Sequence, residues 1–271
     1  MYYKIIVDSC CDLTPEMEQR FGITTVPINL QLGDDGYLDD AQLDTVEFMA
    51  AMRACTGKIG SASPSPAAFT DVYGQDSFVM TVTSAMSATQ QSALLGAGEV
   101  PYNVHVFNSK TASAGQTLAA IKLYELAKSE ISHKQIVDKM DSFIGQMKTY
   151  LVIERFDNLI KNGRLSKVKG TLANVLNMKL ILGADGEGQI GLFGKVRRKT
   201  KMLQKLVSLV KEDGRPTEGA NAVISHANNP NLAQQLADML REKFSFKEIF
   251  VVPTRGTSSM YVDDQGIVLA F

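Results

Sequence analysis

Three short apolar runs, KIIV (4–7), FVMTV (78–82) and VHVF (104–107), each end in small polar residues and each lead into a helical pattern. A strand followed by a helix and then another strand cannot pair through a tight turn. It needs a crossover, and right-handed crossovers place helices on the faces of a parallel sheet. The helix starts are legible one by one. Thr14 caps a helix that opens on Pro15 and Glu16 and stops at Gly22. Ser65 and Pro66 start another inside GSASPSPAAF (60–69). Further helices are predicted from Asp44 to Ala54, in SATQQSALLGAG (87–98) and in SAGQTLAAIKLYELAKSE (113–130). The stretch ITTVPINLQLGDDGYLDD (23–40) reads as extended, with a turn between Gly33 and Gly36.

From about residue 150 the pattern changes. YLVIE (150–154) reads as a strand, RFDNLIKNG (155–163) as a short helix closed by Gly163, and SKVKGTLANVLN (166–177) as helical. MKLILGADGEGQIGLFGKV (178–196) reads as a β-hairpin around Ala184, Asp185 and Gly186, and RRKTKMLQKLVSLVKEDG (197–214) as an amphipathic helix with a basic outer face. Two strands with a helix between them and a final GIVLAF (266–271) complete the chain. The expectation is an α/β fold of two domains: an N-terminal parallel α/β/α domain over 1–149, and a C-terminal two-layer α+β domain with a mixed sheet over 150–271. A length of 271 residues suits two modest cores.

Composition narrows the function. A formal net charge of -1 asks for neither nucleic acid nor an anionic membrane as partner. No signal peptide is read at MYYKIIVDSC, and no apolar run has the length of a bilayer span. Cys10, Cys11 and Cys55 form no disulfide framework, so a reducing cytoplasm is the expected location. His105, His133 and His226 lack zinc-ligand spacing, so no metal and no cofactor is expected. No G-x-S-x-G and no P-loop occurs. The G-x-G-x-x-G at Gly186, Gly188 and Gly191 precedes LFGKV and no helix, which makes it a glycine-loosened hairpin. The cysteine pair has acidic neighbours in Asp8 and Asp12, which favours a structural role. His226 ends a strand, where it either hydrogen-bonds a turn or meets a ligand, and His105 reads as a core or edge residue.

Ligands of an open parallel sheet lie beyond the carboxyl ends of its strands. Those ends offer Asp8 and Ser9; Thr83, Ser84 and Ser87; and Asn108, Ser109, Thr111 and Ser113. The loop before Phe69 adds Ser61, Ser63 and Ser65. Hydroxyls beside helix N-termini form an anion site without a formal cation. The competing reading is that they are ordinary helix caps.

The same segments resemble the DegV family of bacterial fatty-acid-binding proteins. IIVDSCCDLTPEM is similar to the family's opening T-D-S-x-x-D-L-x-x-E, and GSASPSPAAF to T-S-Q-P-S-P-x-x-F. TSAMSATQQSA, NSKTASAGQ, LIKNGRLSKVKGTLANVLNMKLIL, GKVRRKTKMLQKL and ISHANNP also fall in register with family motifs. The resemblance implies a long-chain fatty acid such as palmitate or oleate, lying in a tunnel between two domains with its carboxylate held by hydroxyls. It implies Ser61 and Ser84 as carboxylate contacts, with Ser87 and Ser63 nearby. Ser258 stands where members carry the histidine of G-T-H-T-G-P-G. For some members it also implies a separate fatty acid kinase, to which the binding protein presents the acyl chain as a non-catalytic subunit. Arg164, Arg197 and Arg198 are then candidates for the surface that meets such a partner. The alternatives are an enzyme acting on a small carboxylated or phosphorylated metabolite, and a carrier of another lipid. Each buried methylene of an acyl tail is worth about 0.8 kcal/mol, so the tail would supply most of the affinity and the head the orientation. Some of the 12 methionines would line an adaptable tunnel.

Overall fold

The structure is a computed structural model describing residues 3–165 and 178–271. The predicted helix in SKVKGTLANVLN lies outside the described residues.

Strand β1 (Lys4–Asp8) is central in a four-stranded parallel sheet of order β2-β1-β6-β7, with β2 (Ile23–Val26), β6 (Asp76–Thr81) and β7 (Asn103–Asn108). The predicted caps form. Thr14 Oγ1 accepts from Met17 N at the start of α1 (Pro15–Phe21), and left-handed Gly22 ends that helix. Asp44 caps α2 (Thr45–Ala54), and Ser65 accepts from Ala68 N at the start of α3 (Pro66–Thr70). One sheet face packs on α3 and on α4 (Thr89–Gly98) through Ile6, Val79, Phe69 and Ala93.

The extended stretch after β2 forms a separate small antiparallel sheet of order β4-β3-β5, with β3 (Asn29–Leu32), β4 (Asp35–Leu38) and β5 (Ile59–Ala62). Ser61 therefore belongs to a strand, opposite Leu30, and Ser65 alone serves the helix that follows.

Two helices join the sheets. Helix α5 (Ala114–Ala127) buries residues on every side, including Gln116, Thr117, Leu118, Ala120 and Ile121. A helix apolar all round belongs in an interior. It packs on β1 and β6 and also on strands of the second sheet. Helix α6 (His133–Gln146) has a reciprocal capping box between Ser132 and Gln135.

The second sheet is six-stranded and mixed, of order β10-β9-β8-β13-β11-β12. Its strands are β8 (Thr149–Val152), β9 (Lys179–Ala184), β10 (Ile190–Val196), β11 (Asn221–His226), β12 (Glu248–Pro253) and β13 (Ile267–Ala270). The short helix α7 (Asp157–Lys161) follows β8. One face of this sheet carries α8 (Lys199–Asp213) and α9 (Pro230–Lys243), on Ile181, Ala222, Ile224 and Leu269. The other face meets α5, through Leu182, Val223, Val268 and Ala270. A final short helix, α10 (Gly256–Val262), leads into β13.

The β9–β10 hairpin explains the glycine motif. Gly188 has a φ of 77°, and a Cβ there would lie 2.2 Å from Thr83 Oγ1 and 2.9 Å from Lys110 Cα. The glycine lets the hairpin tip dock on the strand-end loops of the first sheet. Gly188→Ala is expected to destabilise the protein by about 2 kcal/mol. The measurement is urea unfolding, and an unchanged midpoint would mean that the tip is not docked.

Candidate functional site

The chain leaves β1 to pair β2 on one side and returns to β6 on the other, so a topological switch point lies between β1 and β6. A protein carboxylate fills it. Buried Asp8 accepts from Cys10 N at 3.0 Å and from Val82 N at 2.7 Å. Burial pushes its pKa up to about 6 against those hydrogen bonds. Two more buried carboxylates lie close by. Asp12 accepts from Arg255 N at 2.9 Å and from Ser113 Oγ, and burial raises it to about 6. Asp39 accepts from Gly256 N at 2.8 Å, Thr257 N at 2.7 Å and Thr257 Oγ1 at 2.6 Å, and burial raises it too. Asp12 and Asp39 thus accept the first N–H groups at the start of α10 from more than two hundred residues away in sequence.

Much of the strand-end hydroxyl set serves this internal wiring. Ser9 accepts from Ile28 N, Ser113 donates to Asp12, Thr257 donates to Asp39, and Ser109 donates to Thr111 O. Asp8 takes the N–H groups of Cys10 and Val82 at the switch point, so neither is open to an incoming phosphate. Cys10 and Cys11 are buried, and burial with the neighbouring aspartates pushes the Cys10 thiol up, which keeps it neutral.

A cavity lies between the parallel sheet and the mixed sheet. It holds about 860 Å³ of empty space, part of it open to solvent. Its walls are mainly apolar: Ile28, Val82, Met86, Leu151, Leu159 and Val268. Ser61, Tyr261 and Arg164 gather on one part of its wall, with Ser87 next to Met86, and Ser258 lines it too. Ser61 Oγ and Tyr261 Oη lie 2.8 Å apart. Burial raises the Tyr261 pKa, so the phenol keeps its proton. The pair has two hydroxyl protons and one mutual bond, which leaves one proton for a ligand oxygen. Ser87 stands in the same relation to Thr89, at 2.8 Å. Ser258 approaches Cys10 O at 3.4 Å, so its proton is directed into the protein.

Arg164 adds a formal charge that a hydroxyl-only reading lacks. Its Nε donates to Met86 O at 3.1 Å and Nη1 to Asn162 O at 2.6 Å, and its guanidinium carbon lies 5.8 Å from the Tyr261 ring centre. Nη2 makes no hydrogen bond among the described residues. Two asparagines fix this part of the cavity. Asn162 Nδ2 donates to Ile59 O at 3.1 Å and Asn158 Nδ2 to Met260 O at 2.8 Å, tying α7 to β5 and α10.

The sequence-derived residues are thus distributed unevenly. Ser61, Ser87, Ser258 and Arg164 converge on the cavity. Ser84 is exposed and paired with Asn108, whose Nδ2 donates to its Oγ at 2.6 Å. Ser63 is half-buried and does not line the cavity. Arg164 faces the cavity, whereas Arg197 and Arg198 are exposed at the start of α8. Tyr261 went unread because RGTSSMYV does not look like a helix. Seen as one, Ser258 and Tyr261 are three residues apart and share a face. His226 Nδ1 accepts from Asn229 N at 3.4 Å, so it serves a turn. His105 packs edge-on to Phe107. Among the described residues no group of three or more His, Cys, Asp or Glu could hold a metal ion, and no helix is long and apolar enough to cross a membrane.

The model of the DegV family matches residues 2–270. A DegV domain-containing protein of Streptococcus pyogenes serotype M1 is 30% identical over 280 residues, covering 100% of this chain and 99% of its own length. A DegV-family protein of Ruminococcus gnavus, refined with vaccenic acid, superposes with a TM-score of 0.94 at 33% identity, over 99% of each chain. The fatty acid kinase (Fak) B3 protein of Streptococcus pneumoniae, loaded with linoleic acid, gives 0.90 at 29% identity, over 100% of this chain and 99% of that one. A DegV-family protein of Eubacterium eligens loaded with heptadecanoic acid gives 0.89 at 27%, over 99% and 98%.

Proposed function

This chain belongs to the DegV family, and from that premise we propose that it binds a long-chain fatty acid in the cavity between its sheets. The observation that carries the reading is the cavity itself. It has a mainly apolar wall and a cluster of donors formed by the Ser61–Tyr261 pair, Ser87 and Arg164. That asymmetry matches an anionic head on an apolar tail. The tail supplies affinity at about 0.8 kcal/mol per buried methylene, and charge-assisted hydrogen bonds fix the head. Three fatty-acid-loaded structures of relatives between 27% and 33% identical support the ligand class.

In this reading the protein has no catalysis of its own and works in the cytoplasm, presenting its acyl chain to a separate fatty acid kinase. The likeness to the Fak B3 protein supports that role, and Arg197 and Arg198 are offered as a surface for the partner. The division near residue 149 then has a purpose. The first part supplies Ser61 and Ser87, and the second closes the cavity and adds Arg164 and Tyr261.

Denaturing extraction and mass spectrometry of the freshly purified protein is expected to release a near-stoichiometric fatty acid. An empty protein that also fails to bind added palmitate or oleate would sink the proposal. Replacing Ser61 and Ser87 together by alanine is expected to weaken fatty acid binding about tenfold or more in a protein that still folds. Unchanged affinity in that double variant would remove these hydroxyls from the head-group site.

A further inference from the structure

The cavity does not end in apolar side chains. Leu151 faces Val268 across the β8–β13 pair, and one pleat further along β8 the wall becomes Thr149. Thr111 Oγ1 donates to Thr149 Oγ1 at 2.9 Å, and both residues are more than nine-tenths buried. Thr111 Oγ1 also lies 3.4 Å from Ala112 O, and while its one proton goes to Thr149 the Thr149 proton has no other acceptor among the described residues.

Behind this pair lies a second cavity of about 380 Å³, part of it open to solvent, which shares Thr111, Thr149 and Ala184 with the first. It is polar where the first is apolar, with Ser109, Lys110 and Lys148 in its wall. Lys110 holds a φ of 53°, and its Nζ donates to Gly186 O at 3.3 Å. The carboxylate here, Asp185, accepts through Oδ1 from Glu187 N and Gln189 N, both at 2.9 Å, within its own turn. A methyl group arriving at Thr149 would cover a buried hydroxyl and leave it unpaired. An oxygen arriving there would accept its proton.

Resting on the fatty-acid reading above, we propose that this cavity takes acyl chains oxygenated at their far end, ω-hydroxy or α,ω-dicarboxylic fatty acids. Thr149 hydrogen-bonds the far oxygen. The second cavity receives it, and Lys148 and Lys110 lie beside it when it is ionised.

The test is displacement of a fluorescent fatty acid from the full-length protein by matched series from laurate to stearate. Each plain acid is compared with its ω-hydroxy and α,ω-dicarboxylic analogues. At the best chain length the ω-hydroxy acid is expected to bind within about threefold of the plain acid, because its hydroxyl finds a partner. Thr149→Val, which keeps the shape, is expected to weaken the ω-hydroxy acid about fivefold and leave the plain acid as tight or tighter. Lys148→Gln is expected to weaken the dicarboxylic acid more than the ω-hydroxy acid. An ω-hydroxy acid bound about thirtyfold more weakly than the plain acid at every length, as an apolar dead end would impose, overturns the proposal and leaves fatty acid binding intact. Equal weakening of both ligands by Thr149→Val also overturns it. If no plain acid displaces the probe at any length, fatty acid binding itself fails, and this inference falls with it.

Discussion

Arg164→Met lowers the affinity for palmitate or oleate by about tenfold to a hundredfold, the range expected for loss of a hydrogen-bonded cation opposite a carboxylate. Methionine keeps most of the apolar stem, so the change isolates the guanidinium. That group is held from behind by Met86 O and Asn162 O, which aligns it before any ligand arrives. Arg164→Lys keeps the charge without the planar fork and falls between the two. A long-chain alcohol, which has no charge at its head, binds the wild type and Arg164→Met alike. Isothermal titration with the acid and the alcohol separates these effects. An acid that binds both proteins equally would place its carboxylate elsewhere.

The buried aspartates give the second large effect. Asp8 and Asp12 ordinarily titrate at 3.8, and burial raises each to about 6. Between those values the folded protein holds protons that the unfolded chain has released, so stability falls as pH rises through that window. The contribution is fully present below 3.8 and is lost above about 6. Each group accounts for about 3 kcal/mol. His105 and His226, lowered by burial, act in the opposite sense as pH falls below 6.5, so the comparison is made between variants. Asp12→Asn keeps an acceptor for Arg255 N and does not titrate. Relative to wild type, its stability drops by about 3 kcal/mol between about pH 7.5 and about pH 4. Denaturant unfolding across that range measures the difference, and a pH-independent difference would mean that Asp12 is ionised throughout.

What could be read from the sequence depended on distance along the chain. Ser65 with Pro66 and Thr14 with Pro15 are local signals, and each cap forms as its spacing predicts. The parallel sheet and the mixed sheet follow from the order of apolar runs. Helix α6 goes unassigned although its signals are local: Ser132 and Gln135 form a capping box, and Ile136, Val137, Met140, Phe143 and Ile144 recur at helical spacing. The site was legible only in part. Ser61 and Ser87 stood out as hydroxyls near helix starts, but Ser84 looks the same in sequence and turns to Asn108. Pairing selects among equivalent serines, and the pairing is long-range. Ser61 meets Tyr261, and Asp39 meets Thr257. Arg164 illustrates the same limit. A basic residue after a glycine suggests a surface turn, and only the approach of Met86 and Tyr261 brings it into the cavity wall.

Helix α5 has a consequence for how cargo gets in and out. It is clamped by β1 and β6 on one side and by β11 and β13 on the other, within a single continuous core. Jaws need a hinge, and here the hinge line is occupied by a helix whose first two turns, from Ala114 to Ile121, are wholly buried. Loading and unloading are then expected to proceed by local yielding at the rim, around Met86, Arg164 and α7, with the two sheets held in place by α5. Exchange should then be slow, and set by the breathing of a few rim side chains more than by any swing of one half against the other. For a carrier that hands its cargo to a partner, such a seal holds the lipid until contact at the rim loosens it.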